Sequence, residues 1–148
     1  MLEFCRRKAA AMGLSPILHE QRMQELDLPR RFRTIYAPFC SFLCVIRREE
    51  ALEALRRFHR HLEPGGQLLI AITMPSRERM AAQTGRFEQV KTLVRPEDGA
   101  TIRVAEAITN QIAEQLKTAG FREVFSHGDY ADHELGEGDT NGVFRAIK

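Results

Sequence analysis

Cys40 and Cys44 stand four positions apart, with His59 and His61 further on, and these four side chains are where metal chemistry would begin in this chain. Zinc takes thiolate and imidazole ligands in tetrahedral sets, but this spacing matches no common ligand pair, and a strand-end loop and a helix would have to converge to close the set. Buried free thiols and surface histidines account for these residues more simply. A nucleophilic triad can be written from Cys40 with His19, His127 or Asp129, yet no local motif supports it. Gly65-Gly66 opens a strand-like run, so no helix N-terminus stands behind it to hold a phosphate. His127-Gly128-Asp129-Tyr130 with Asp132-His133 forms a polar cluster that reads as a solvated loop carrying groups able to meet a substrate.

The elements that would position these groups follow from periodicity. Leu2, Phe4, Cys5, Ala9 and Met12 fall near helical spacing, and Gly13 can end that helix in a left-handed conformation. Pro16 to His19 predicts a short buried strand, and Thr34 to Cys40 predicts the next. Glu49 to Leu62 puts Ala51, Leu52, Leu55, Phe58 and Leu62 on one helical face with arginines opposite. Pro64-Gly65-Gly66 stops that helix and leads into Leu68–Thr73, a run apolar enough to be buried on both faces. Glu78 to Thr84 predicts a helical turn. Phe87–Val94 and Thr101–Ile108 predict antiparallel strands around the turn Arg95–Gly99. Asn110 reads as the cap of a helix whose buried stripe is Ile112, Leu116 and Ala119, closed by Gly120. Phe121–Ser126 and Gly142–Ile147 predict a closing hairpin. Leu18, Ile35, Leu55, Phe58, Leu68, Ile70, Ile72, Leu116, Phe121 and Val143 are the expected core.

Composition bounds the class. The chain has 148 residues, 43% of them hydrophobic, and no apolar run near the ~20 residues of a membrane span, so it reads as one domain over residues 1–148 with no membrane partner. Residues 1–64 carry a net +4 and residues 65–148 a net −2. Few aromatics lie among the arginine doublets Arg6-Arg7, Arg30-Arg31, Arg47-Arg48 and Arg56-Arg57, which argues against nucleic acid as a partner. The three cysteines, Cys5, Cys40 and Cys44, read as free thiols of a cytoplasmic protein.

A strand over Phe32–Phe39, a helix, and Leu62-Glu63-Pro64-Gly65-Gly66-Gln67-Leu68-Leu69-Ile70 make a βαβ unit that resembles the class I S-adenosylmethionine-dependent methyltransferases. Met1–Ala9 resembles the helix after that family's second strand. Leu18–Leu28 resembles the third strand and its loop, with Gln21-Arg22 where relatives show Gly-Asp, and Arg33 stands where relatives usually carry Asp. Leu116–Val124 resembles the helix, AGF turn and strand before the last hairpin, which Gly128-Asp129-Tyr130 and Val143-Phe144-Arg145-Ala146 resemble in turn.

The resemblance implies an α/β fold: a Rossmann-like three-layer sandwich, its sheet mainly parallel with a C-terminal antiparallel hairpin, incomplete at the N-terminus. Counterparts of the first strand, the glycine-rich loop and the second strand are expected to be missing, with a further deletion between Arg95 and Asn110. It implies a small-molecule methyltransferase, or a fragment of one, with S-adenosylmethionine as cofactor bound weakly or not at all. Arg22, Met23, Ala37, Pro38 and Phe39 are the cofactor-binding candidates; no catalytic residue or metal ligand is assigned, and the methyl acceptor is left open. Two other readings stay open: a non-enzymatic Rossmann-like binding or assembly module, and a binder of another small ligand. Deletion would expose sheet edges, healed either by pairing Pro16–His19 with Thr34–Cys40 or by a homodimer, the expectation favoured here.

Overall fold

The computed structural model describes residues 2–73, 92–94, 101–136 and 138–148. The expectations at Glu78–Thr84 and Arg95–Gly99, and most of that at Phe87–Val94, lie outside these residues. The described elements are α1 (Leu2–Ala11), β1 (Phe32–Ala37), α2 (Arg48–His61), β2 (Leu62–Thr73), β3 (Thr92–Val94), β4 (Thr101–Arg103), α3 (Val104–Thr118), β5 (Glu123–Gly128) and β6 (Asn141–Ile147). Short 3-10 turns lie at Met23–Glu25 and Ser41–Cys44.

The main sheet has the order β1-β2-β6-β5. β1 runs parallel to β2, while β6 is antiparallel to both β2 and β5, so β1, β2 and β5 all point one way with β6 reversed among them. All three carboxyl ends therefore fall on one edge. β3 and β4 form a separate antiparallel pair.

Alternation along the strands separates two faces. Leu68, Ile70 and Ile72 of β2 and Phe144 and Ala146 of β6 point at α2 and α3, where Ala54, Leu55, Phe58, Ile112 and Leu116 meet them in one core. Burial of each leucine, isoleucine or phenylalanine side chain among them stabilises by about 1.5–3 kcal/mol. The register places Thr34, Tyr36, Gln67, Leu69, Phe125 and Arg145 on the opposite face. There Arg145 Nε donates to Gln67 Oε1 at 2.9 Å, Gln67 Nε2 reaches Thr34 Oγ1 at 3.4 Å, and Arg145 lies 5.9 Å from the Phe125 ring centroid.

The helices end as their glycines require. Gly120 takes φ +102°, Phe121 N donates to Leu116 O and Gly120 N to Lys117 O. This paired closure brings Phe121 into contact range of the helix it terminates, and both Phe121 and Leu116 are buried. Gly13 closes α1 the same way, with Leu14 N on Ala9 O and Gly13 N on Ala10 O. Within β2, Gly66 is needed by close approach: a Cβ there would meet the carbonyl oxygens of Glu63, Arg33 and Phe32 at 2.9–3.2 Å. The Pro64-Gly65-Gly66 turn is thus an irregularity inside β2, whose first residue already pairs with Phe32.

Several expectations are corrected. Residues 16–19 form no strand: Ile17 is 79% exposed and Leu18 only half-buried, since Pro16 has no N–H to give a ladder. Among the described residues β1 pairs only with β2, so the sheet is not healed by Pro16–His19. Asn110 is not a cap but lies inside α3, which begins at Val104 and leaves β4 only three residues. β5 starts at Glu123 because Phe121 belongs to the helix closure. Val143 and Ile35 are half-buried, and the β6 core positions are Phe144 and Ala146.

Candidate functional site

Open α/β sheets bind ligands outside the carboxyl ends of their strands. In this chain that edge is built from the ends of β1, β2 and β5 and the start of β6. Residue by residue it forms a hydrogen-bonded belt. Cys40 N donates to Ala71 O at 3.0 Å, and Thr73 N donates to Cys40 Sγ at 3.0 Å. Thr73 pairs with Asn141 across the ladder. Asp129 N donates to Asn141 O at 2.9 Å, and Asp129 Oδ1 accepts from Thr140 N, Asn141 N and Asn141 Nδ2 at 2.8–3.3 Å.

Two tight turns hang from this belt. Ser41 N donates to Pro38 O with Phe39 and Cys40 at φ +51° and +58° between them. Ala131 N donates to Gly128 O with Asp129 and Tyr130 at φ +45° and +61°. Positive φ at both central residues marks turns that favour Asn and Gly. These four are the only non-glycine residues with positive φ among the described residues, and a bulky side chain there costs about 1–2 kcal/mol. Such strain concentrates at functional sites.

Tyr36 and Tyr130 are both more than half exposed, Tyr130 in the second turn and Tyr36 on the strand that leads into the first. Burial of part of the group, the Tyr36 phenol and the Cys40 thiol push the Tyr130 hydroxyl above the ordinary phenol range. It is therefore a proton-bearing donor at neutral pH. In the loop that follows, His133 Nε2 bonds Asp139 Oδ1 at 2.8 Å, and Gly136 N donates to Asp139 Oδ2 at 2.6 Å. The Gly136 N–H, then His133, hold the Asp139 carboxyl below its ordinary value. Gly128 has no room for a Cβ, which would collide with the Asp139 and His133 side chains.

The cofactor candidates divide. Ala37 faces the core and Met23 packs on the same core. Pro38 is half-buried, Phe39 is 89% exposed in the first turn, and Arg22 is exposed with its guanidinium 3.9 Å from Glu25. The Met23 segment is fixed by α2. Leu28 N donates to His61 Nε2 at 2.9 Å, so His61 Nδ1 carries the proton and donates to Arg57 O, while Arg57 Nη1 holds Leu26 O. Gln21 clasps both backbone groups of Asp27.

His59 packs edge-on against Phe121 with centroids 5.1 Å apart, remote from the role of a metal ligand. Among the described residues no group of three or more His, Cys, Asp or Glu side chains is placed to hold a metal ion. All three cysteines are free, and no described helix is long and apolar enough to cross a membrane. Sequence reasoning reached the loop His127–Tyr130 but not Tyr36, which stands half-exposed on the sheet face away from the helices.

No family model matches the sequence, and no curated protein matches it either. Solved structures do. A methyltransferase of Clostridium acetobutylicum that depends on S-adenosylmethionine superposes with a TM-score of 0.72 at 15% identity, over 99% of this chain and 70% of that one. The fold is that of the S-adenosylmethionine-dependent methyltransferases. The CcbJ methyltransferase of Streptomyces caelestis gives 0.70 at 22% identity, covering 99% of this chain and 74% of that one. The glycopeptide N-methyltransferase MtfA, solved with S-adenosylmethionine, gives 0.62 at 19% identity over 99% and 72%. With this methyltransferase fold, the belt and its two turns occupy the end of the sheet where ligands of such folds sit.

Proposed function

We propose that this chain is a small-molecule methyltransferase domain that uses S-adenosylmethionine, with the cofactor contacting Met23 and the Ala37–Phe39 end of β1. The observation that carries the reading is the superposition on methyltransferase structures over 99% of the chain. Among the described residues no glycine-rich turn joins a strand to a helix, and by the family resemblance Arg22 stands where an acid would meet the adenine. Each missing charge-assisted contact forfeits about 1.5–3 kcal/mol, so two of them weaken binding by a factor on the order of 10²–10⁴. The cofactor dissociation constant then falls in the range of about 0.1–10 mM.

Calorimetry of the 148-residue chain with S-adenosylhomocysteine tests this. Weak saturable binding supports the reading, micromolar binding removes the claim of impairment, and no heat change at any soluble concentration favours the alternative, a non-enzymatic binding or assembly module. That alternative draws on Arg22 and Arg33 at positions where relatives carry acids.

We further propose a homodimer. β1 has one described partner, β2, and the loop after it exposes Phe39, Leu43 and Ile46, the last at 92%. Pairing of such an edge with a second copy covers open backbone groups and this apolar loop. Light scattering over a dilution series decides: a mass near 16.9 kDa at every concentration overturns the dimer.

A further inference from the structure

The polar segment after β5 turns back along that strand and closes its outer edge. Gly128 N donates to His133 O at 3.1 Å, Leu135 N donates to Ser126 O at 3.1 Å, and Glu134 bridges His127 in the antiparallel sense. Beside strand and returning chain lies an open cavity of about 300 Å³, walled by Phe125, Ser126, His127, Asp132, His133 and Glu134. That volume stands at the small end of the range for ligand pockets. β5 is the edge strand opposite β1, three strand spacings or about 14 Å away, so the cavity is separate from the β1 end where the cofactor is placed.

One imidazole of this wall is fixed in orientation and protonation. Asp139, with only 11% of its side chain exposed, takes the Gly136 N–H on one oxygen and His133 Nε2 on the other. Those two donors hold the carboxyl below its ordinary range and keep it ionised at neutral pH, so Nε2 carries the proton and Nδ1 of the neutral ring is an acceptor. Among the described residues Nδ1 has no hydrogen-bond partner. His133 belongs to the cavity wall and Asp139 does not, which leaves the Nδ1 edge of the ring for the cavity. Gly128 seats the pair: its φ is not positive, so the backbone does not demand a glycine, but a Cβ would collide with both side chains.

The rest of the wall states what the ligand must be. The Phe125 and His127 rings, with centroids 6.4 Å apart and planes 35° apart, give an apolar surface, and Asp132 and Glu134 add two carboxylates. Among the described residues the wall has no Lys or Arg; Arg145, over the Phe125 ring, is tied to Gln67 Oε1 on the sheet face. A protonated amine meets all of these terms, because its N–H groups need acceptors, its charge needs carboxylates and its carbon frame needs ring surface. We propose that this cavity binds a small organic ammonium ion, its cationic head on His133 Nδ1 and the Asp132 and Glu134 carboxylates, its apolar body on Phe125 and His127. Asp139 is the positioning residue and acts through His133.

The chain has five histidines, of which His127 and His133 belong to the wall while His59 and His61 lie in α2 and serve as internal controls. The test is a ring-nitrogen NMR titration of the histidine-labelled full chain with benzylammonium in mildly alkaline buffer, with benzyl alcohol and benzoate as the neutral and anionic counterparts. His127 and His133 shift along one saturable curve, with a dissociation constant on the order of 1–10 mM for so small a ligand, and His59 and His61 stay in place. Asp132→Asn combined with Glu134→Gln, both at exposed positions, weakens binding by roughly three- to tenfold while the melting temperature holds. Asp139→Asn releases the fixed tautomer, read as a change in the His133 ring-nitrogen shifts before any ligand is added, and weakens binding as well.

Movement of only one wall histidine, a titration that never saturates, an equal response to benzyl alcohol or benzoate, or undiminished affinity in the Asp132→Asn and Glu134→Gln double variant would overturn the site. An unchanged His133 pattern in Asp139→Asn removes Asp139 from its positioning role. The titration of the unaltered chain and the double variant decide the matter even where Asp139→Asn fails to fold. S-adenosylhomocysteine calorimetry reports on the β1 end, so either result there leaves this one standing.

Discussion

The helix-covered face of the sheet and its carboxyl edge are built on opposite terms. Toward α2 and α3, β2 and β6 present Leu68, Ile70, Phe144 and Ala146, all essentially sealed from solvent, and the helices close with relaxed glycines. At the carboxyl edge the chain accepts two strained turns, leaves three aromatic rings in water and spends its polar bonds on fixing turn geometry. The first region lowers free energy; the second uses some of it. Where a protein keeps bulky residues at positive φ with no burial to justify them, function is the account that remains.

The contrast is sharpest for core truncation. Leu116→Ala removes a side chain with no exposed surface between α3 and the sheet and should cost about 2–5 kcal/mol in urea unfolding. A loss below about 1 kcal/mol would mean that this face is not close-packed. His61→Leu is next. It leaves Leu28 N and Arg57 O without their ring partner and should cost about 1–3 kcal/mol, with faster hydrogen exchange at the Leu28 amide. Unchanged exchange there would show that α2 does not hold the Met23 segment.

At the carboxyl edge the sign reverses. Phe39→Gly relieves a left-handed phenylalanine that buries almost nothing and should raise stability by about 0.5–1 kcal/mol. Destabilisation would dissolve the distinction between the two regions.

The smallest effect is a pH slope on the packed side. Burial, then the Lys148 cation, lowers the His59 imidazole below its ordinary value, against an opposing backbone bond at Gly120. The unfolded chain then binds the proton more tightly. Stability is complete above the ordinary histidine range, near 6.5, and falls as pH drops from there through the lowered folded value. His59→Gln should flatten that limb of a thermal-shift profile, leaving the limb below pH 4 that comes from Asp139. An unaltered slope would place the titration elsewhere.

The packed region was legible where spacing alone decided structure. Ala51, Leu55 and Phe58 fix α2, and Gly13 and Gly120 mark the ends of α1 and α3. Legibility failed where two readings shared the same residues. Gly142–Ile147 is nearly continuous in apolar residues, so parity could not choose between Val143 and Phe144 as the inward side chain. The spacing of Val104, Ile108, Ile112 and Leu116 suits one helix, but the β-branched residues among them read equally as a strand, which hid the start of α3. The apolar pair Ile17-Leu18 looked buried and is not, because burial needs a partner that the pair itself does not specify.

The candidate site was less visible still. Phe39-Cys40 and Asp129-Tyr130 are not the residue pairs that announce a turn with two positive φ angles. β1 and β5 bring their carboxyl ends to one edge only through the reversed strand β6, a placement no local pattern encodes.

The central claim is that the carboxyl edge is the working end of a methyltransferase fold, and backbone amide NMR during a titration with S-adenosylhomocysteine tests it most directly. Shifts should concentrate at Met23, Ala37, Phe39 and Cys40, half-saturate between about 0.1 and 10 mM, and leave the α2–α3 face unmoved. Shifts confined to α2 and α3, or none up to the solubility limit, would contradict it.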